Sequence, residues 1–234
     1  MAVVEKLPYQ RVCLFLLTLC LLGTWVVVPS SAQSAPCRSV KTESMKIALT
    51  FDDGPHPHLT GQILDILEQY GVRATFFMIG QNVENYPDAA REVIRRGHEV
   101  GNHTFSHTAL AKLSESDVRE ELERCEDALD RHCDYSPRLF RPPQGLLSEA
   151  IDSCARQGDY RLILWSLDTR DWELKNPDHI VSSVLSRVQS GDIILMHDYV
   201  GVNSGTPQAL AVLLPALLER GFEPVTVSEL LEEE

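Results

Sequence analysis

From Lys46 onward the chain alternates short runs of β-branched and aromatic residues with longer segments whose apolar residues recur every three or four positions, and nothing else in it constrains the fold as tightly. Runs of the first kind are strands, segments of the second kind are amphipathic helices, and their regular alternation marks βα units in a parallel sheet. Seven strands are predicted, over residues 46–52, 73–79, 98–102, 139–141, 161–167, 192–197 and 224–227. Thr60 is the expected cap of a helix carrying Ile63, Leu64, Ile66 and Leu67 and stopping at Gly71, and a second helix over 88–96 stops at Gly97. Ser114 and Asp117 form a capping-box pattern for a helix running toward Asp130, and Ser148 opens another that ends near Gly158. Two more helices are expected over 178–188 and 207–220. With no interior linker or repeat, the economical arrangement is one α/β domain, a distorted (β/α) barrel of about seven parallel strands; a doubly wound open sheet has the same local pattern.

The first residues stand apart. Lys6 and Arg11 precede an uncharged run over 12–28, followed by Pro29 and small residues ending at Ala32. That is the pattern of a secretory signal peptide cleaved after Ala32, although the run is also long enough to stay as an N-terminal membrane anchor. Either reading places the domain outside the cytoplasm, whether secreted, periplasmic or anchored facing outward. Residues 33–45 read as a polar, flexible linker and 46–234 as the folded domain. The formal charge is −13, and removing residues 1–32, which hold Glu5, Lys6 and Arg11, leaves −14. Such a surface repels phosphate backbones and anionic lipid heads, so nucleic acid is excluded as a partner, whereas a neutral or weakly charged glycan is acceptable. Four cysteines follow the leader, Cys37, Cys125, Cys133 and Cys154, none in Cys-x-x-Cys spacing, which argues against a cysteine zinc site. An oxidising compartment permits disulfides among Cys125, Cys133 and Cys154; free buried thiols are the equal alternative.

The residues able to do chemistry lie at or just beyond the C-terminal ends of the predicted strands, the face on which β/α barrels build their active sites. Thr50-Phe51-Asp52-Asp53-Gly54-Pro55 places two adjacent carboxylates at a strand end. Neighbours on an extended chain point in opposite directions, so one can hold a metal while the other handles a proton. His103-Thr104-Phe105-Ser106-His107 offers two imidazoles four residues apart, which on one face of a helical turn could share a cation. Two histidines and a carboxylate leave coordination positions open for water and substrate, as catalytic zinc does. Phe140-Arg141-Pro142-Pro143-Gln144-Gly145 sets a permanent cation before a rigid loop. Leu167-Asp168-Thr169-Arg170-Asp171-Trp172 brings carboxylates and an indole, and Ile194-Leu195-Met196-His197-Asp198 ends a strand with a histidine. Singly each has a structural explanation; all five in this order do not.

These five segments resemble the motifs of the NodB-type polysaccharide deacetylases of carbohydrate esterase family 4, in the family's order, over about residues 46–230. The resemblance implies metal-dependent hydrolysis of acetyl groups from an N-acetylated polysaccharide, peptidoglycan or a chitin-like polymer of N-acetylglucosamine. It implies Asp53, His103 and His107 as ligands of a divalent metal, zinc first, with cobalt or nickel as alternatives. Asp52 would be the general base, held by Arg141, and His197 the general acid, paired with Asp171. Pro143, Gln144, Gly145, Trp172 and Leu195 would bind substrate, Trp172 and Leu195 around the acetyl methyl and the Gln144 N–H at the oxyanion. Gln144 departs from the tyrosine usual there, which puts the sugar preference in doubt. Removal of O-acetyl groups from xylan by the same machinery, or a silent glycan-binding barrel, are the competing readings, and no protein partner is implied.

Overall fold

The computed structural model describes residues 35–199, 201 and 203–234; the leader predicted over 1–32 lies outside the described residues. The chain lays down β1 (Lys46–Asp52), α1 (Leu59–Gln69), β2 (Thr75–Met78), α2 (Gly80–Asn85), α3 (Pro87–Arg95) and β3 (Glu99–Asn102). Next come α4 (Glu115–Cys133), β4 (Leu139–Phe140), α5 (Glu149–Gln157), β5 (Arg161–Leu162), β6 (Leu167–Asp168), α6 (Asp171–Leu174) and α7 (Pro177–Leu185). It ends with β7 (Ile193–His197), α8 (Thr206–Glu219), β8 (Glu223–Val225) and α9 (Val227–Leu231). All strand pairs are parallel in the order β5-β4-β3-β2-β1-β7-β6, with β8 against the start of β1. The α/β barrel expectation holds.

Period-two alternation sorts the strand side chains. Ile47, Leu49 and Phe51 of β1 and Ile194 and Met196 of β7 join the core beneath the helices, together with Leu64 and Leu67 of α1 and Leu210, Leu213 and Leu217 of α8. Ala48 and Ile193 point the other way, into a second cluster with Phe77, Leu139 and Val225. By the same parity Thr50 and Asp52 of β1, and Leu195 and His197 of β7, share the inner face. The register pairs Thr50 with Leu195 and Asp52 with His197, so two titratable groups end up side by side at the C-terminal rim.

The predicted strand over 161–167 breaks. Its first residues pair with β4 and its last with β7, so this segment joins the two sheet edges, and no single straight strand can satisfy both neighbours. Within it Ile163 faces the inner cluster while Leu167 faces the helices, so the alternation slips by one across the break. The stretch read as a flexible linker closes this seam: Cys37 bridges Ile163, Ser39 bridges Asp192, and Cys37 and Val40 are buried. The C-terminal residues brace the same region, with Thr42 of that stretch and Lys46 of β1 bound to Glu233 and Arg161 of β5 bound to Glu234.

Local signals were read correctly where a side chain meets its own helix. Ser114 Oγ accepts from the Asp117 N–H, and Ser148 Oγ from the Ile151 N–H. Thr60 is a correction: the helix begins at Leu59, and the buried Thr60 hydroxyl donates to Asp198 instead of capping. The four cysteines are free thiols. Cys125 and Cys133 sit eight residues apart on α4, about 12 Å of helical rise, beyond disulfide reach. Among the described residues no helix is long and apolar enough to cross a membrane.

Candidate metal centre and active site

At the C-terminal rim lies a cavity of about 520 Å³ lined by Asp52, Asp53, His103, His107, Gln144, Trp165, Asp168, Trp172, Leu195 and His197. All five motif segments contribute to it or stand behind it. Asp53, His103 and His107 offer ligand atoms within 4.8 Å of one another. Asp53 Oδ1 lies 3.4 Å from His103 Nε2 and 3.1 Å from His107 Nε2, yet it is buried without a well-formed hydrogen bond. An orphaned carboxylate oxygen facing two imidazole nitrogens is the donor set for a divalent cation, so these residues fit one. Burial opposes ionisation of Asp53, but the two imidazoles hold its carboxyl well below the usual range. The Asp53 carboxylate in turn raises His107. His103 Nδ1 lies 2.7 Å from the Arg141 carbonyl; with the proton on Nδ1, Nε2 is left as the lone-pair donor.

The two histidines do not share a helical turn. They sit on a loop after β3 in which Thr104 and His107 adopt left-handed backbone, with φ of 68° and 58°. Asp53, Gln144 and Arg170 are also left-handed, so five of the eight such non-glycine residues described lie in the motif loops. Side chains seldom adopt that conformation, and its concentration at one rim marks a site held in shape by its surroundings.

Behind the cavity Arg141, with 0% exposure, donates to Asp52 Oδ1 at 2.7 Å, to Thr50 Oγ1 at 2.8 Å and to the Leu164 carbonyl at 2.9 Å. The guanidinium therefore fixes Asp52 from the inner face of the sheet. Across the register His197 Nδ1 meets Asp171 Oδ1 at 2.7 Å, while Asp171 Oδ2 accepts from the His197 N–H and from Thr206 Oγ1. Burial pulls the His197 pKa down, but the paired Asp171 carboxylate outweighs it and leaves it raised to about 9.

A family profile described as polysaccharide deacetylase matches residues 39–163. This chain belongs to the polysaccharide deacetylase family. It is 42% identical over 187 residues to a peptidoglycan-N-acetylglucosamine deacetylase of Bacillus cereus, covering 79% of this chain and 87% of that one. It is 38% identical to a chitooligosaccharide deacetylase of Bradyrhizobium, covering 76% and 86%. The solved structure of a family 4 acetyl xylan esterase from Clostridium thermocellum, in complex with a cobalt ion, superposes with a TM-score of 0.74 at 33% identity, covering 80% and 90%.

Within this deacetylase-family barrel the substrate-side expectations divide. Gln144, Trp172 and Leu195 line the cavity, with Trp172 49% exposed at its mouth. Pro143 is buried outside the lining, and Gly145, also outside it, forms a left-handed turn against Trp165. Sequence reading missed four supporting residues. Trp165 lines the cavity. Asn82 donates to the Asp53 carbonyl at 2.8 Å, and Asp198, pushed up to about 7 by burial, receives the Thr60 hydroxyl next to Gly54. Glu121, far along α4, accepts from the Phe105 and Ser106 N–H groups at 3.0 and 2.8 Å and from Ser106 Oγ. No local pattern marks Glu121, since its partners lie a full loop away. Replacing Glu121 by Ala is expected to free the 104–107 loop and weaken metal affinity about 10- to 100-fold, with Glu121→Gln keeping most of it. Metal titration monitored by calorimetry checks this, and equal affinity in Glu121→Ala would contradict it.

Proposed function

We propose that this chain is a zinc-dependent hydrolase that removes N-acetyl groups from a β-linked N-acetylglucosamine polymer, peptidoglycan or a chitin-like chain, outside the cytoplasm. The observation that carries the reading is a single cavity in which Asp52 and His197, register neighbours, flank the Asp53, His103 and His107 cluster. Amide hydrolysis requires a base and an acid within reach of one electrophile, because an amine leaves only after protonation. The deacetylases similar to this chain carry the same substrate class in their names.

A divalent cation held by Asp53, His103 and His107 would supply Lewis acidity toward an acyl oxygen and lower the pKa of a water; zinc suits the donor set, with cobalt or nickel as alternatives. Asp52, oriented by Arg141, takes the proton from the water that adds to the acetyl carbon. The Gln144 N–H is assigned as donor to the carbonyl oxygen as charge builds there. His197, held by Asp171, gives its proton to the nitrogen as the C–N bond breaks, so acetate and a free amine leave. Trp172 and Leu195 enclose the acetyl methyl. The leader would carry the domain across the membrane, by cleavage or as an anchor.

Acetate release measured side by side on chitooligosaccharides, peptidoglycan fragments and acetylated xylan tests the proposal. N-acetylated glycans are expected to release acetate in the zinc-loaded protein and to stop doing so after chelation. Release from xylan alone would replace the amidase reading by the esterase one, and release from none would leave a glycan-binding barrel.

A further inference from the structure

We infer that Trp165 is the second aromatic wall of the substrate cavity, the surface against which the ring of the N-acetylated sugar packs while its acetamido group reaches Asp53, His103 and His107. The inference rests on the proposed glycan substrate and names a specificity-determining residue for it. Trp165 lies in the segment where the predicted strand over 161–167 breaks, and the break decides what it faces. On an unbroken strand positions 165 and 168 point to opposite faces of the sheet. Here both Trp165 and Asp168 line the cavity, because the alternation slips between β5 and β6. The slip turns an indole into the site without giving up the carboxylate.

The ring is held in place on two sides. Its benzo edge lies against Gly145, where a Cβ would come within 2.6 Å of Cη2, and Gly145 has a φ of +64°. Both facts require glycine there. On another side the Arg141 guanidinium lies 5.7 Å from the ring and 4.0 Å from Phe77, so the indole also covers the cation that fixes Asp52. Trp165 is only partly buried, packed at the edge of the inner cluster, and the neighbouring Gln144 is exposed and offers no aromatic surface. What the cavity presents is therefore two indoles, Trp165 inside and Trp172 at the mouth. A β-linked N-acetylhexosamine ring has one apolar C–H face and a polar rim, and a rigid indole matches such a face at little conformational cost. An acetylated small molecule with no sugar ring would not need it.

The test compares Trp165→Ala and Trp165→Phe with the unmodified zinc-loaded enzyme. Trp165→Ala is expected to raise KM for an N-acetylglucosamine pentamer about tenfold with kcat changed less, a larger loss than on 4-nitrophenyl acetate, which has no sugar ring to pack. Trp165→Phe is expected to recover most of the KM. An unchanged KM in Trp165→Ala overturns the assignment. So does an equal loss on pentamer and nitrophenyl ester, which marks a structural role. Pentamer binding to the metal-free proteins, followed by NMR titration, separates this inference from the catalytic reading. Pentamer affinity that drops about tenfold in Trp165→Ala supports the assignment even if no acetate is released, a result that would sink the amidase proposal alone. Affinity equal in both proteins, or no pentamer binding at all, overturns the Trp165 wall.

Discussion

Asp53→Ala is expected to lose metal and turnover together while the barrel stays folded. Asp53 Oδ1 is the buried oxygen that faces both imidazoles and has no well-formed hydrogen bond of its own. Without it the two histidines are left as a bidentate pair, and affinity should fall by more than the 10- to 100-fold that loss of an outer-shell partner costs. Metal content after dialysis, acetate release and melting temperature are the three measurements. The fold should survive because Asp53 lies at the rim, outside the clusters formed by Ile47, Leu49 and Phe51 or by Ala48 and Phe77. His103→Ala should behave alike, and stoichiometric metal with full activity in either variant would remove the site.

His197→Ala is expected to keep its metal and lose about 10²- to 10⁴-fold in kcat on N-acetylated glycans, the range for removal of a general acid. Ester turnover should fall less, since an alkoxide leaves more readily than an amide anion. The pH profile gives a second handle. Asp171 leaves His197 raised to about 9, so the acid is protonated below that value and its proton is lost as pH rises through it. In the loaded enzyme a nearby cation disfavours the imidazolium and draws that alkaline limb below 9. Asp171→Asn should move it further, toward the ordinary histidine value of about 6.5. The linkage has the matching sign in the metal-free protein. A raised folded pKa means the native state holds the proton more tightly, so the stabilisation is complete below about 6.5 and fades as pH climbs through about 9. Unchanged amide turnover in His197→Ala, or an alkaline limb unmoved by Asp171→Asn, would take His197 out of the mechanism.

Two of the sequence expectations failed for one reason. The spacing allows His103 and His107 one face of a helical turn, and the 161–167 run reads as one strand. Both are set by partners distant in the chain: Glu121 on α4 holds the histidine loop, and β4 and β7 pull the strand apart. Thr60 has a cap-like residue type, but Asp198, brought in by β7, takes its hydroxyl. The 33–45 stretch is polar, yet Cys37 and Val40 are buried because the seam between β5 and β6 needs backbone partners.

By itself the sequence determined most of the strands and the longer helices, where Ser114 and Ser148 cap, and that Asp52 and His197 lie at strand ends. Those are decided by periodicity and by groups within four residues, whose distances the local backbone already sets. Only the tertiary structure decided that Asp52 and His197 are register neighbours, that Arg141 reaches Asp52, and that Trp165 turns into the cavity. Register and barrel closure fix those meetings, and both come from burying whole faces at once, which no short stretch of chain records.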